Sequence, residues 1–346
     1  MSKILIVGNS SVVLKTIENI RHNDSQSAIT LFCTESLLPY DRWALPSLVA
    51  RQMNEAQIHP LADNFFSQHQ VEVITNEKLA RISFKRKYVT TENKVQINYD
   101  QLIVADLGSL MPPAIKGHQK KGVFDCARLS SVKELIQYLP LVDIVFVMAT
   151  NIHGLNMACA LQGQGKEVVV VSSNRGLLAD IFDEETSSLL KQILEEKGLR
   201  VLTESKIEEI LGDTEVKAVR LHSGKVMAAQ MVIADFMPLD WRLIAEETGY
   251  QKIDDEYFHT GLPLKPSRFG FKVLEGFCMG FTKLPEGGRE YLKFDGPQNV
   301  FKKVFAQGEC LVGAVLFNAP SHEAELLKTI TEHIPVAGQE EALLGG

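Results

Sequence analysis

The sequence predicts an α/β protein: two βαβ units in series, followed by a small C-terminal α+β domain. Three observations carry this. A short apolar run that ends in glycine opens the chain and is followed by a helical pattern and a second β-rich run. The same arrangement returns in mid-chain. The last eighty or so residues change character, to two long β-rich runs around a Gln-Gly-Glu turn.

In order along the chain, Lys3-Ile-Leu-Ile-Val-Gly8 is a continuous apolar run, as expected of a strand buried on both faces of a parallel sheet. Val12 to Arg21 has helical spacing, and Ala28–Phe32 is the next strand, which completes a βαβ unit. The second unit has Asp143–Met148 as strand, Gly154–Leu161 as helix, a break at Gly163 and Gly165, and Glu167–Val171 as strand. Tyr99–Ala105 and Met231–Asp235 are the apolar strands that close the two units. The stretch from Asp183 to Gly198 is a charged amphipathic helix with a glycine stop. Val300–Phe305 and Cys310–Phe317 flank Gln307-Gly308-Glu309 as a hairpin.

Bulk properties narrow the function. The 346 residues are 45% hydrophobic and 23% charged, ordinary for a globular protein with two or three cores. A formal net charge of −7 argues against nucleic-acid or anionic-membrane binding, which needs a concentrated basic face. No apolar run has membrane-spanning length, so membrane insertion is not expected. The chain passes from Met1-Ser2-Lys3 straight into a strand without a secretory leader pattern, which points to the cytoplasm. Cys33, Cys126, Cys159, Cys278 and Cys310 form no closely spaced pair. They read as buried thiols, and no metal site is expected.

Four segments, in order, resemble the pyridine nucleotide-disulfide oxidoreductase superfamily, in particular its nitrite reductase flavin-domain and rubredoxin reductase-like branch. They are Pro39-Tyr-Asp-Arg42 with Leu45-Pro46; Tyr99-Asp-Gln-Leu-Ile-Val-Ala105; Leu177-Leu178 with Phe182-Asp-Glu-Glu185 and the helix to Gly198; and Val304 to Phe317. The resemblance implies two Rossmann-like domains of the FAD/NAD(P)-binding type plus the C-terminal α+β interface domain. It divides the chain into a FAD-binding-like domain at 1–110, returning in truncated form at 230–262, an NAD(P)-binding-like domain at 111–229, and the interface domain at 263–346. It implies FAD on the first unit and NAD(P)H on the second. As partners it implies a redox protein or the subunits of a redox complex, and a homodimer through the C-terminal domain. No cysteine follows Cys33 up to Arg51, so no thiol relay is expected.

The chain departs from this pattern at the dinucleotide loops. In G-x-G-x-x-G the first glycine makes the turn, the second admits pyrophosphate to the backbone, and the third lets helix and strand approach. In the first unit these positions hold Gly8, Ser10 and Val13; in the second, Ala149, Asn151 and Gly154. Asn156 stands where the family often has glutamate. Ser172-Ser173 with Arg175 replaces the acidic ribose reader. That set reads either as an NADP preference or as a solvated turn. Asp106 follows the Tyr99 strand where the family has Thr-Gly, and no Gly-Asp ends a strand between Leu262 and Val273.

The candidate cofactor-binding residues are therefore Gly8, Ser10, Glu35, Arg42, Gly154 and Arg175. Glu35 is the ribose reader of the first unit or a charged loop residue. Arg42 is a phosphate or flavin contact or a surface ion pair. His153 is a phosphate contact or a capping histidine. Tyr40, Trp43 and Trp241 read as packing or interface. No catalytic acid–base pair can be assigned. The function implied is an FAD-dependent NAD(P)H oxidoreductase-like, electron-transfer flavoprotein subunit with a weakened or lost NAD(P)H site. The alternative is a non-catalytic pseudo-enzyme that scaffolds a redox complex.

Overall fold

A computed structural model describes residues 2–33, 35–59, 61, 64–77, 79–104, 115–149, 151–234, 267–269, 274–338 and 342–344. Asp106, Trp241 and most of the 253–273 stretch lie outside these residues. The chain divides into two compact units. One takes Met1–Pro113, Ala127–Val132 and Phe236–Ile253; the other takes Ala114–Cys126, Lys133–Asp235 and Asp254–Gly346.

In the first unit, β1 (Lys3–Val7), β2 (Ala28–Phe32), β3 (Val71–Ile74) and, after three further strands, β7 (Gln101–Val104) form a parallel sheet in the order β3-β2-β1-β7. Helix α1 (Val12–Asn23) crosses between β1 and β2 and buries Val13, Leu14 and Ile17. These side chains share a core with Ile4, Ile6, Ile29 and Leu31. Short helices follow at α2 (Leu45–Val49), α3 (Glu55–Ile58) and α4 (Phe65–Gln68). β4 (Leu79–Ser83), β5 (Tyr88–Thr91) and β6 (Gln96–Asn98) form an antiparallel meander that the sequence pattern does not reveal. The closing strand starts at Gln101 rather than Tyr99. The two preceding residues are used otherwise: Tyr99 is buried, and the Asp100 carboxylate accepts the Lys3 amide at 2.7 Å.

In the second unit, β8 (Val123–Asp125), β9 (Ile144–Met148), β10 (Glu167–Val171), β11 (Arg200–Leu202) and β15 (Met231–Ala234) form a parallel sheet in the order β11-β10-β9-β15-β8. Helix α5 (Leu129–Tyr138), which belongs to this unit from Lys133 on, precedes β9, α6 (Ile152–Gly163) links β9 to β10, and α7 (Glu184–Glu196) follows β10. β12 (Ile207–Leu211), β13 (Ala218–Leu221) and β14 (Val226–Ala228) form a second meander, whose apolar face packs with Phe146, Val169 and Val171 of the sheet. α6 is buried on every side from Ile152 to Leu161, so it lacks the one-sided pattern of a surface helix.

The C-terminal part of this unit is an antiparallel sheet of β16 (Ser267–Phe269), β17 (Gly276–Gly280), β18 (Arg289–Asp295), β19 (Val300–Gln307) and β20 (Cys310–Phe317). Its order is β16-β17-β20-β19-β18. The expected hairpin is present, with its first strand running two residues further, to Gln307. Helix α8 (Glu323–Thr331) covers one face through Leu326 and Ile330. This α+β layer and the two parallel sheets match the fold class read from the sequence.

Candidate functional site: two loops at the sheet switch points

In an open parallel sheet, ligands bind beyond the carboxyl ends of the strands, where the strand order reverses. β1 lies between β2 and β7, and β9 between β10 and β15. The loops after β1 and β9 are therefore the topological sites, and they are the two loops picked out by the glycine pattern.

In the first loop Gly8 has φ of +147°, a backbone region that side-chain-bearing residues rarely adopt. Its amide bonds Phe32 O at 3.0 Å. α1 begins four residues on, with no acidic residue in its first turn and no side-chain cap from Ser11. Val13, at the packing-glycine position, is wholly buried in the helix–sheet core, so its isopropyl group fills that contact.

The loop after β2 is tied to the loop after β1. Asn9 is fully buried; its Oδ1 accepts the Glu35 amide at 2.9 Å and its Nδ2 donates to Leu37 O at 2.6 Å. The Tyr40 amide bonds Asn9 O at 3.0 Å, and Ser10 forms a parallel bridge with Tyr40. Three of the candidates thus meet around Tyr40. Its hydroxyl donates to Glu35 Oε1 and Oε2 at 2.9 and 3.0 Å, and Arg42 Nη2 donates to Glu35 Oε1 at 2.7 Å. The Glu35–Arg42 pair is largely enclosed, with side-chain exposures of 10% and 16%. Burial pushes the Tyr40 phenol well above the ordinary value, and the Arg42 charge offsets only part of this, so the phenol stays protonated and can donate. Its oxygen also accepts the Leu129 amide at 3.0 Å. Tyr40 is therefore a hydrogen-bonding hub rather than packing alone. Trp43 is exposed at the surface of the same segment.

The second loop is built differently. Asn151 caps α6, and its Oδ1 accepts the Gly154 amide at 3.0 Å. A side-chain oxygen therefore takes one of the helix N-terminal amides that a pyrophosphate uses in this type of loop. Gly154 permits close packing: a Cβ there would lie 3.1 Å from both Ala149 Cα and Met148 O. His153 is buried and its Nε2 donates to Cys126 O at 2.7 Å, so the ring is directed at a carbonyl. Arg175 lies on the loop after β10 and pairs with Glu184 at 3.3 Å, both side chains mostly exposed. Ser172 is buried and bonded through its backbone to Leu202 and Ser205.

Cys33, Cys126, Cys159 and Cys278 are buried and Cys310 half-buried, all as free thiols. Burial pushes the thiols of Cys159 and Cys278 up to about 12, far from a reactive thiolate at neutral pH. Among the described residues no cluster of His, Cys, Asp and Glu is arranged to hold a metal ion. No helix among them is long and apolar enough to cross a membrane.

Residues 2–236 match the family model for pyridine nucleotide-disulphide oxidoreductases. The chain belongs to this family. Among curated relatives, the assimilatory nitrate reductase electron transfer subunit of Bacillus subtilis is 25% identical over 67% of this chain and 30% of its own length. The rubredoxin-NAD(+) reductase of Ectopseudomonas oleovorans is 23% identical over 66% of this chain and 60% of its own length. The chain thus spans less than two thirds of the length of these relatives. Among solved structures, the covalent putidaredoxin reductase–putidaredoxin complex superposes with a TM-score of 0.80 at 15% identity, covering 99% of this chain and 98% of that one. At that identity the likeness establishes the shared fold. Within this oxidoreductase family, Asn9 and the bonding role of Tyr40 are what sequence reasoning missed. Asn9 occupies a variable position of the fingerprint and carries no signal; Tyr40 lies inside the Pro-Tyr-Asp-Arg block and was legible as a place but not as a contact.

Proposed function

We propose that this chain is an electron-transfer flavoprotein subunit that holds FAD on its first unit and exchanges electrons with a redox protein, its NAD(P)H site being weakened. The observation that carries this reading is the contrast between the two loops. Gly8 keeps the strained turn and α1 has no side-chain cap, whereas Asn151 caps α6 from within. The first loop offers the residue types of a dinucleotide site, with Ser10 as a small polar neighbour, Glu35 for a ribose and Arg42 as the adjacent cation; the Val13 and Leu14 amides bond Ser10 O and Ser11 O, and Glu35 bonds Tyr40 and Arg42, so a bound nucleotide would share or exchange these partners. The second fits less well, because an incoming phosphate has to displace the Asn151 oxygen. Arg175 would favour a 2′-phosphate there, since an exposed pair with Glu184 costs little to break.

A bound flavin would supply hydride acceptance and electron transfer. The residues of this chain would bind and orient it, with Tyr40 and Arg42 fixing the Glu35 carboxylate. The names of the relatives, an electron transfer subunit and a rubredoxin reductase, support a redox protein as the partner class. The scaffold reading draws on the same Asn151 cap and on the buried Val13.

A visible spectrum of the purified chain, before and after incubation with FAD and desalting, separates the two. Flavin absorption that survives desalting supports the flavoprotein, and anaerobic NADH and NADPH titration then tests the second loop. A chain that stays colourless overturns it in favour of the scaffold.

A further inference from the structure

The parallel sheet of the second unit carries a hollow at the end away from its nucleotide loop. Ile144, Glu167 and Arg200 are the first residues of β9, β10 and β11, whereas the loop lies beyond the carboxyl end of β9. With Phe146, Val169 and Met227 these three line a cavity of about 290 Å³. The strand register explains the set. Glu167 stands beside Ile144, and Val169 stands between Phe146 and Arg200. Neighbours paired in a parallel sheet share a face, as do residues two apart on one strand. Phe146 and Val169 face the meander β12–β14, so Glu167 and Arg200 project from that same face. Met227 covers it from β14, and Lys225, two residues earlier, also lines the cavity.

The floor is apolar and the mouth is charged. Phe146 and Val169 are buried, and Ile144 and Met227 are half-buried. Glu167, Arg200 and Lys225 are exposed, and among the described residues no ion pair or hydrogen bond engages their side chains. Two cations and one carboxylate therefore stand unpaired around an apolar hollow, a net charge of one positive.

We propose that this cavity binds a medium-chain carboxylate, its alkyl chain laid along the apolar floor and its head held by Arg200 and Lys225. Burying the chain against Phe146, Val169, Ile144 and Met227 supplies the apolar part of the affinity. The planar guanidinium of Arg200 matches a carboxylate in a two-pronged geometry, and Lys225 adds a second positive charge. A single negative charge suits this mouth, because Glu167 already offsets one of the two cations. At about 30 Å³ for each non-hydrogen atom, the share a water molecule takes in the liquid, the volume holds about ten such atoms. That is the size of octanoate. A ligand so small on a partly open site has an expected Kd of about 0.1–1 mM. The cavity shares no residue with either nucleotide loop, and its occupation does not depend on flavin.

The test is titration calorimetry of the full chain with sodium octanoate, with and without added FAD. Saturable binding at one site is expected. Acetate lacks the chain and octylammonium reverses the charge, so each is expected to bind roughly tenfold more weakly or worse. Arg200→Gln is expected to weaken octanoate about tenfold and Lys225→Gln about threefold. Glu167→Gln removes the opposing charge and is expected to tighten binding about threefold. A gain in affinity cannot come from misfolding, so this variant keeps the test sound if the others are destabilised. Lys328→Gln, exposed on α8, is expected to change nothing. Octanoate that does not bind overturns the proposal. So does acetate or octylammonium that binds as well, an Arg200→Gln chain with unchanged affinity, or a Lys328→Gln chain that loses as much as Arg200→Gln. Octanoate affinity that is the same with and without FAD keeps this result separate from the flavoprotein reading, and a chain that takes up no flavin leaves it standing.

Discussion

The hydroxyl of Tyr40 donates to both carboxylate oxygens of Glu35 and accepts the Leu129 amide. One phenol therefore fixes the orientation of the best candidate ribose reader and satisfies a backbone amide far away in sequence. Tyr40→Phe keeps the buried ring but leaves that amide and the carboxylate each one partner short. The expected loss is about 1–3 kcal/mol of stability by urea unfolding. Weaker FAD retention is also expected, because the Glu35 carboxylate then loses the Tyr40 hydroxyl that donates to both its oxygens. Unchanged stability and unchanged retention would remove Tyr40 from the site.

Asn151 separates capping from nucleotide access. Asn151→Ala removes the cap of α6 and is expected to cost about 1 kcal/mol in thermal unfolding. Asn151→Gly costs only a few tenths, since glycine is tolerated at an N-cap, roughly a quarter of the alanine effect. It also uncovers the Gly154 amide, so NADH or NADPH binding, followed by titration calorimetry, is expected to strengthen. If the glycine variant binds no better than the parent, the cap is not what weakens this loop.

Gly154 is a packing residue. In Gly154→Ala the new methyl group meets Ala149 and Met148 backbone atoms at 3.1 Å, closer than ordinary contact. α6 is buried on all sides and has no free direction in which to retreat. A loss of about 1–3 kcal/mol is expected by denaturant unfolding, as for other overpacked core positions.

Lys303 is buried among Asp183 at 2.9 Å, Glu185 at 3.2 Å and Glu290 at 3.3 Å. Burial disfavours the charge on Asp183, but hydrogen bonds from Lys303 and Thr186 outweigh it and hold the carboxyl below its ordinary value. A depressed carboxyl contributes stability that is present above about pH 4 and lost as pH falls through its folded value. Burial likewise opposes the charge on Lys303, and its carboxylate partners reverse this, so its pKa is raised. Its contribution is present at neutral pH and lost only as pH climbs beyond about 10.5. Asp183→Asn is expected to cost about 1–2 kcal/mol at pH 7, less than a fully buried pair because Asp183 is a quarter exposed. It should also flatten the stability profile below about pH 4, measured by urea unfolding across pH. A parallel downward shift at every pH would show that the ion pair is not the cause.

The elements with a strong period were legible. The strand Lys3–Val7 and the helix beginning at Val12 were readable because an apolar run closed by Gly8 and a 3.6-residue spacing are local facts. The helix capped by Asp183 was legible for the same reason. The meanders β4–β6 and β12–β14 were not, because their strands are three to five residues long with mixed burial, too short for a period to show. α6 was placed two residues late, since the capping role of Asn151 is a side-chain contact that the glycine pattern hides.

By itself the sequence determined the two βαβ openings, their succession, the C-terminal hairpin and the positions at which glycines were lost from the dinucleotide loops. Those are properties of residues close together in the chain. What Glu35, Tyr40, Arg42 and Asn151 do was decided only by the tertiary structure. A carboxylate, a phenol, a guanidinium and a carboxamide each have many partners open to them in a sequence. Burial beside one another removes water as the alternative and leaves each with the partners it must satisfy.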